Sequence, residues 1–132
     1  MRIFLSVLAG ATLWAALWLA SNAAAMALAP GAFEVDGALH HAGMLAAFVA
    51  LSLAFSLAAG WTTARIAKHR TRLAAGILAG LQLSVGLAVE IANWARLPVW
   101  YHLLFLALLV PGIVGGAWLA HRGVARAEPS ST

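Results

Sequence analysis

Residues 73–95 read LAAGILAGLQLSVGLAVEIANWA and contain a single charged side chain, Glu90. A helix crosses the hydrocarbon core of a membrane with roughly 20 such apolar residues. The stretches 3–33, 37–64 and 97–120 contain no Asp, Glu, Lys or Arg at all. The sequence therefore predicts an all-α fold, an integral membrane four-helix bundle. The single four-span domain comprises residues 1–132, with helices expected near 3–29, 38–60, 73–95 and 98–120.

The composition supports a membrane protein and argues against several other classes. Hydrophobic residues make up 64% of the 132 residues, whereas a soluble domain holds about 45–50%. The net charge of +4 does not indicate nucleic-acid binding, because the basic residues lie in short loops between spans, as membrane topology requires. The chain has no cysteine, which excludes disulfides, thiolate nucleophiles and cysteine metal sites.

The basic residues predict the orientation of the spans. Seven of the eight Lys and Arg residues fall on one side of the bilayer, and only Arg96 falls on the other. The positive-inside bias then predicts that both termini are cytoplasmic. We expect the membrane to be a bacterial-type inner membrane. The basic loop 61–72 can also attract anionic lipid head groups. Three aromatic residues gather at the outer boundary, where interfacial anchors are expected: Trp94, Trp100 and Tyr101.

The first span admits a second interpretation. The small residues 21–25 follow an apolar run, as in a secretory signal peptide. The run is longer than the usual signal core of about 7–15 residues, and it contains Trp14 and Trp18. We therefore expect a retained span, with cleavage as the alternative.

Two pairs of glycines predict contacts between helices. Gly76 and Gly80 are four residues apart on the third span, and Gly112 and Gly116 have the same spacing on the fourth. Small residues at this spacing let helix backbones approach closely in a membrane. We expect both pairs to face partner helices.

Glu90 is the leading candidate for function. It lies about 7 Å below the outer end of its span, at a rise of 1.5 Å per residue. An acid inside a membrane is a functional candidate by default. The candidate catalytic residues are Glu90, His40 and His102. The candidate ligand-binding residues at the same outer level are Asp36, His40, His41, Glu90, Asn93, Arg96 and His102.

Three interpretations of this cluster remain open. It is a buried ion pair that fixes helix register, a pocket for an amphiphilic, lipid-linked compound, or a ligand set for a metal or haem. The metal interpretation is weak, because His40 and His41 are adjacent and point about 100° apart on a helix. We predict no metal site and no cofactor.

The order of these residues resembles the VanZ-like family, small four-span membrane proteins named after a teicoplanin resistance factor. The family's D-K-x-x-H pattern resembles residues 36–40, DGALH, and its E-x-x-Q pattern resembles residues 90–93, EIAN. Arg96 stands where an Arg follows that motif. The glycines of the family's fourth span match Gly112 and Gly116. The resemblance implies a role in the cell envelope, of the kind found in glycopeptide resistance.

The chain also departs from the family pattern. The family's Lys is replaced by Gly37, and the Asp and Asn of its fourth span are replaced by Phe105 and Leu109. These losses suggest a divergent member. The first hypothesis is a protein that binds a lipid-linked envelope compound around Glu90. The alternatives are an accessory subunit of a larger membrane complex, such as an electron-transfer assembly, and a haem-binding protein. Whether the protein is an enzyme is left open.

Overall fold

The computed structural model describes residues 1–35 and 38–127, and over these residues the protein is all-helical. The long helices are α1 (Arg2–Leu28), α2 (Ala42–Ala67), α3 (Thr71–Ala92) and α4 (Val99–Ala127). Short 3₁₀ turns, Pro30–Ala32 and Trp94–Arg96, precede α2 and α4. All four helices are long and apolar enough to cross a membrane. The prediction of an all-α fold with four such helices is confirmed.

The helix boundaries differ from the predicted ones at α2 and α4. Helix α2 begins at Ala42 rather than near residue 38, because Phe33 and Leu39 pair in an isolated antiparallel bridge. The amide of Leu39 also donates to the carbonyl oxygen of Arg96 at 3.2 Å. At their other ends, α2 and α4 continue beyond residues 60 and 120. Charged residues end an apolar run without ending a helix, so hydropathy places these boundaries too early.

Helices α2 and α4 pack closely against each other, and glycines make this approach possible. A Cβ atom at Gly60 would collide with the carbonyl of Ile113, and one at Gly116 would collide with the carbonyl of Leu57. A Cβ atom at Gly112 would also press against α2. Close backbone approach is the main source of helix association in lipid. Gly112 and Gly116 therefore lie at a helix contact, and Gly60, which the sequence analysis did not single out, lies opposite them.

Gly76 and Gly80 lie on the outside of the bundle. Among the described residues, no atom comes within 4 Å of a Cβ atom placed at either position. The inward face of α3 is formed by other residues, including Leu78, Gln82 and Gly86. The expectation that Gly76 and Gly80 pack against a partner helix does not hold for the helices that the structure describes. The spacing of small residues marks one face of a helix but does not tell which face turns inward.

Buried hydroxyl groups connect α1 to α2. The indole nitrogen of Trp14 donates to Ser56 Oγ at 3.1 Å, and Thr63 Oγ1 donates to the carbonyl oxygen of Ser6 at 3.1 Å. All four side chains are buried. Hydrogen bonds between helices satisfy polar groups that lipid cannot. Helix α1 is therefore an integral part of the packed bundle.

Candidate functional site

The bundle has two ends with different chemistry. The Pro98 end holds the α1–α2 connection and the α3–α4 turn, residues 29–41 and 93–98. The Arg70 end holds the start of α1, the α2–α3 turn at residues 68–70, and the end of α4. The candidate catalytic and ligand-binding residues that the structure describes all belong to the Pro98 end: His40, His41, Glu90, Asn93, Arg96 and His102.

Glu90 and His102 form a buried pair at the Pro98 end. Glu90 lies in the last turn of α3 and His102 in the first turn of α4, and the short turn between the helices places them opposite each other. His102 Nδ1 is hydrogen-bonded to Glu90 Oε2. Glu90 is 3% exposed and His102 is 0% exposed. The carboxyl group that the sequence placed inside the bilayer is therefore buried within the protein beside an imidazole.

The imidazole of His102 is held on several sides. Its second nitrogen, Nε2, lies 3.3 Å from the carbonyl oxygen of Trp94. The indole of Trp94 stacks on the imidazole, with ring centroids 4.6 Å apart and planes 9° apart. The ring of Tyr101 meets it edge-on at 6.1 Å. These contacts fix the orientation of His102.

Hydrogen-bonding rules limit the protonation of the pair. A carbonyl oxygen only accepts, so His102 Nε2 carries the hydrogen that faces Trp94. Nδ1 and the carboxyl group of Glu90 then share one proton. The pair is either an imidazolium with a carboxylate or an imidazole with a carboxylic acid, and its net charge is zero in both forms. A neutral pair is far less costly to bury than a lone carboxylate.

Glu90 borders a cavity of about 180 Å³ at the Pro98 end. The cavity is smaller than the 300–1,000 Å³ or so of pockets for drug-sized molecules. It is close to the roughly 150 Å³ that accommodates a benzene-sized molecule. The space suits a small head group or the end of a chain rather than a whole lipid. Its lining consists of Trp18, Asn22, Met26, Phe33, Leu39, Leu45, Phe48, Val89, Glu90, Asn93, Arg96, Leu97 and Tyr101.

Asn93 and Arg96 line this cavity together with Glu90. Asn93 Nδ2 donates to the carbonyl oxygen of Val89 at 2.8 Å. Asn93 Oδ1 accepts from Arg96 Nη1 at 3.3 Å. The amide of Asn93 therefore positions the guanidinium of Arg96 at the edge of the cavity.

His40 and His41 are placed differently from the expectation. His40 is exposed, and its Nε2 lies 3.7 Å from Glu34 Oε1. His41 Nδ1 accepts from the amide of Met44 at 3.1 Å and so caps the start of α2. Neither residue lines the cavity at Glu90. Among the described residues, no hydrogen bond connects either histidine to the Glu90–His102 pair. Asp36, the remaining candidate, lies outside the described residues.

The geometry does not suit a metal or haem at this site. Within residues 1–35 and 38–127, no group of three or more His, Cys, Asp or Glu residues could hold a metal ion. A haem needs an imidazole nitrogen with a free lone pair. Both nitrogens of His102 are engaged by Glu90 and Trp94. His102 is therefore not free to serve as a haem ligand in this arrangement.

Two aromatic residues that the sequence assigned only to anchoring at the membrane boundary, Trp94 and Tyr101, also form part of the site. Trp94 stacks on His102 while its side chain stays half exposed, and Tyr101 is buried beside it and lines the cavity. Helical spacing does not indicate this stacking, because Trp94 lies beyond the end of α3, in the 3₁₀ turn Trp94–Arg96.

Comparison with known proteins gives no match to a protein-family model, a curated protein or a solved structure.

Proposed function

We propose that this chain is a multi-pass protein of a bacterial-type inner membrane that binds an amphiphilic or lipid-linked envelope compound at the Pro98 end. Glu90 anchors the head group, and the apolar walls of the cavity receive the adjoining atoms. The resemblance to the VanZ-like family supports an envelope compound. The observation that carries the proposal is a buried carboxyl group, fixed by His102, at the wall of a cavity.

Charge distribution supports the orientation. The Arg70 end carries seven Lys and Arg residues, whereas the Pro98 end carries only Arg96. The positive-inside bias makes the Arg70 end cytoplasmic. Both termini are then cytoplasmic, and the cavity at Glu90 belongs to the outer leaflet.

The geometry favours binding over catalysis. A general base needs a nitrogen or oxygen within hydrogen-bond reach of the substrate. Both nitrogens of His102 are already engaged, so His102 is a positioning residue. Glu90 Oε1 has no hydrogen-bond partner among the described residues, and Glu90 lines the cavity. This oxygen is the acceptor for a hydroxyl or amine on the bound compound.

Binding of simple amphiphiles tests the proposal. Three probes share a C12 chain: dodecylamine, dodecanol and dodecanoate. We expect the protein in phosphatidylcholine nanodiscs to bind radiolabelled dodecylamine and dodecanol more tightly than dodecanoate, because Glu90 accepts hydrogen bonds. Glu90→Gln should raise the Kd for dodecylamine about 10- to 100-fold, since a hydrogen bond to a charged group contributes about 1.5–3 kcal/mol.

The matched control is Glu34→Gln, which removes an exposed carboxylate at the same end. This variant should bind all three probes as the unchanged protein does, after subtraction of binding to empty nanodiscs. Equal binding of dodecanoate and dodecylamine, or equal Kd values for the two variants, contradicts an anchoring role for Glu90.

One observation favours a second candidate function, that of an accessory subunit in a larger membrane complex. The outer face of α3 exposes three small residues in helical register, Gly76, Gly80 and Ser84. Such a face permits close approach of another membrane helix. Purification in mild detergent separates the two functions. A stoichiometric partner that is lost in Gly80→Leu supports the accessory role. Purification of this protein alone, with a bound amphiphile, supports amphiphile binding at the Glu90 cavity.

A further inference from the structure

A large groove lies at the Arg70 end, which is the opposite end of the bundle from the Glu90–His102 pair. It runs between α3 and α4, and its volume is about 890 Å³. A second groove of about 660 Å³ adjoins it on the side of α2. His69, Thr71 and His121 line both grooves, and Thr71 Oγ1 is hydrogen-bonded to His121 Nε2. The two grooves therefore meet at a contact between α3 and α4.

The rim of these grooves is strongly basic. Arg70 and Arg72 line the larger groove, and Arg65 and Lys68 line the smaller one. No Asp or Glu lies at this end among residues 1–35 and 38–127. A fixed cluster of positive charge attracts an anion.

The start of α3 adds hydrogen-bond donors to this charge. The N-cap position is Arg70, which provides no side-chain cap, and the first turn of α3 has no acidic residue. The first amides of a helix have no partner within the helix. The start of α3, with these N–H groups, lies at the larger groove, which Arg72, Thr71 and His121 also line, and such a helix start favours a phosphate oxygen.

The larger groove is apolar along its length. Below the basic rim it is lined by Leu73, Gly76, Val114 and Trp118. Gly76 has open space in front of it, because no described atom lies within 4 Å of a Cβ atom placed there. The groove therefore combines a basic rim with an apolar channel. An acidic protein surface would complement only the first of these two parts.

Lys68, at the edge of the smaller groove, has an unusual backbone conformation. Lys68 ends α2 with φ 59° and ψ −83°, a conformation that L residues rarely adopt. Glycine takes such a conformation without a steric penalty. The chain nevertheless places a lysine there, at the edge of the smaller groove.

We propose that the larger groove binds an anionic phospholipid of the leaflet at the Arg70 end. Its phosphate contacts Arg70, Arg72 and the first amides of α3. One acyl chain follows the channel past Gly76, between Val114 and Trp118.

Native mass spectrometry of the full chain tests this site with named lipids. The protein is titrated in detergent with dioleoylphosphatidylglycerol and with dioleoylphosphatidylcholine, and the Kd of the first adduct is measured. We expect phosphatidylglycerol to bind at least about 10-fold more tightly. The double variant Arg70→Gln, Arg72→Gln should weaken it by about 30-fold, because each charge near the surface contributes roughly 5-fold.

The control is the double variant Arg2→Gln, Arg126→Gln, which removes two charges from the same end but outside both grooves. It should change the Kd for phosphatidylglycerol by less than about 3-fold. If the control variant loses as much affinity for phosphatidylglycerol as Arg70→Gln, Arg72→Gln does, the lipid is attracted by net charge only. That result would overturn the proposed binding site in the larger groove.

Two further measurements separate the possible occupants of the groove. A Cβ atom at position 76 meets no described atom within 4 Å, so Gly76→Leu should place its side chain in the channel and weaken the binding of phosphatidylglycerol and phosphatidylcholine alike. Unchanged lipid binding in Gly76→Leu would contradict the position of the acyl chain in the groove. Glycerol 3-phosphate at millimolar concentration should leave the phosphatidylglycerol adduct in place, and full displacement would assign the site to a soluble phosphate instead.

Discussion

Replacement of His102 by leucine is expected to lower the free energy of unfolding by about 3–5 kcal/mol, because it leaves Glu90 buried without its partner. Leucine has nearly the volume of the imidazole, so the loss reports the missing polar contact rather than an empty space. Unfolding in bicelles by denaturant, followed by tryptophan fluorescence, measures the change.

The companion variants separate a lost partner from a lost charge. In Glu90→Gln the amide donates to His102 Nδ1 while Nε2–H still donates to the carbonyl oxygen of Trp94. We expect this variant to lose less than about 1 kcal/mol, as for one neutral hydrogen bond. The double variant Glu90→Leu, His102→Leu should recover most of the stability, because an apolar pair of similar volume replaces a buried polar pair at little cost. Additive losses in the double variant would contradict the pairing.

Replacement of Gly116 by alanine is expected to destabilise the bundle by about 1–3 kcal/mol. The new methyl group would collide with the backbone carbonyl of Leu57, and a backbone atom cannot rotate away as a side chain can. Gly60→Ala should behave in the same way, because its methyl group would meet the carbonyl of Ile113. The same denaturant titration in bicelles measures both variants.

Gly80→Ala is the matched control for this second prediction. It makes the same chemical change on a helix of the same bundle, but at a position with open space in front of it. We expect its free energy of unfolding to stay constant or to rise by up to about 1 kcal/mol, because alanine favours a helix more than glycine does. Equal losses in Gly80→Ala and Gly116→Ala would mean that α2 and α4 do not cross closely.

The fold was largely predictable from where charges are missing. Long stretches without Asp, Glu, Lys or Arg determined the number of helices and their approximate positions. The packing was less predictable, because Gly76 and Gly80 have the same spacing as Gly112 and Gly116 but face outward. Local spacing determines which residues share a helix face, whereas the other helices determine which face turns inward.

The candidate site was predictable in part, for a similar reason. The sequence identified Glu90 and His102 through the rarity of polar side chains in apolar helices, and the short turn brings these two together. It grouped His40 and His41 with them because all lie near one boundary. That grouping assumed a helix from residue 38, whereas the structure has an extended segment that ends in a cap. The stacking of Trp94 on His102 depends on the path of the α3–α4 turn, which no periodic pattern describes.

The central claim is that Glu90 and His102 form one pair inside the bundle, and solid-state NMR in phospholipid bilayers tests it most directly. In the background Glu34→Gln, Glu128→Gln, Glu90 is the only glutamate, so ¹³C-glutamate and ¹⁵N-histidine labels report one carboxyl group. We predict a ¹³C–¹⁵N dipolar contact between the Glu90 carboxyl carbon and an imidazole nitrogen at about 4 Å or less, as a hydrogen bond requires. The contact should vanish in His102→Leu. A Glu90 carboxyl carbon with no imidazole nitrogen at that range, or a contact that survives His102→Leu, would contradict the account.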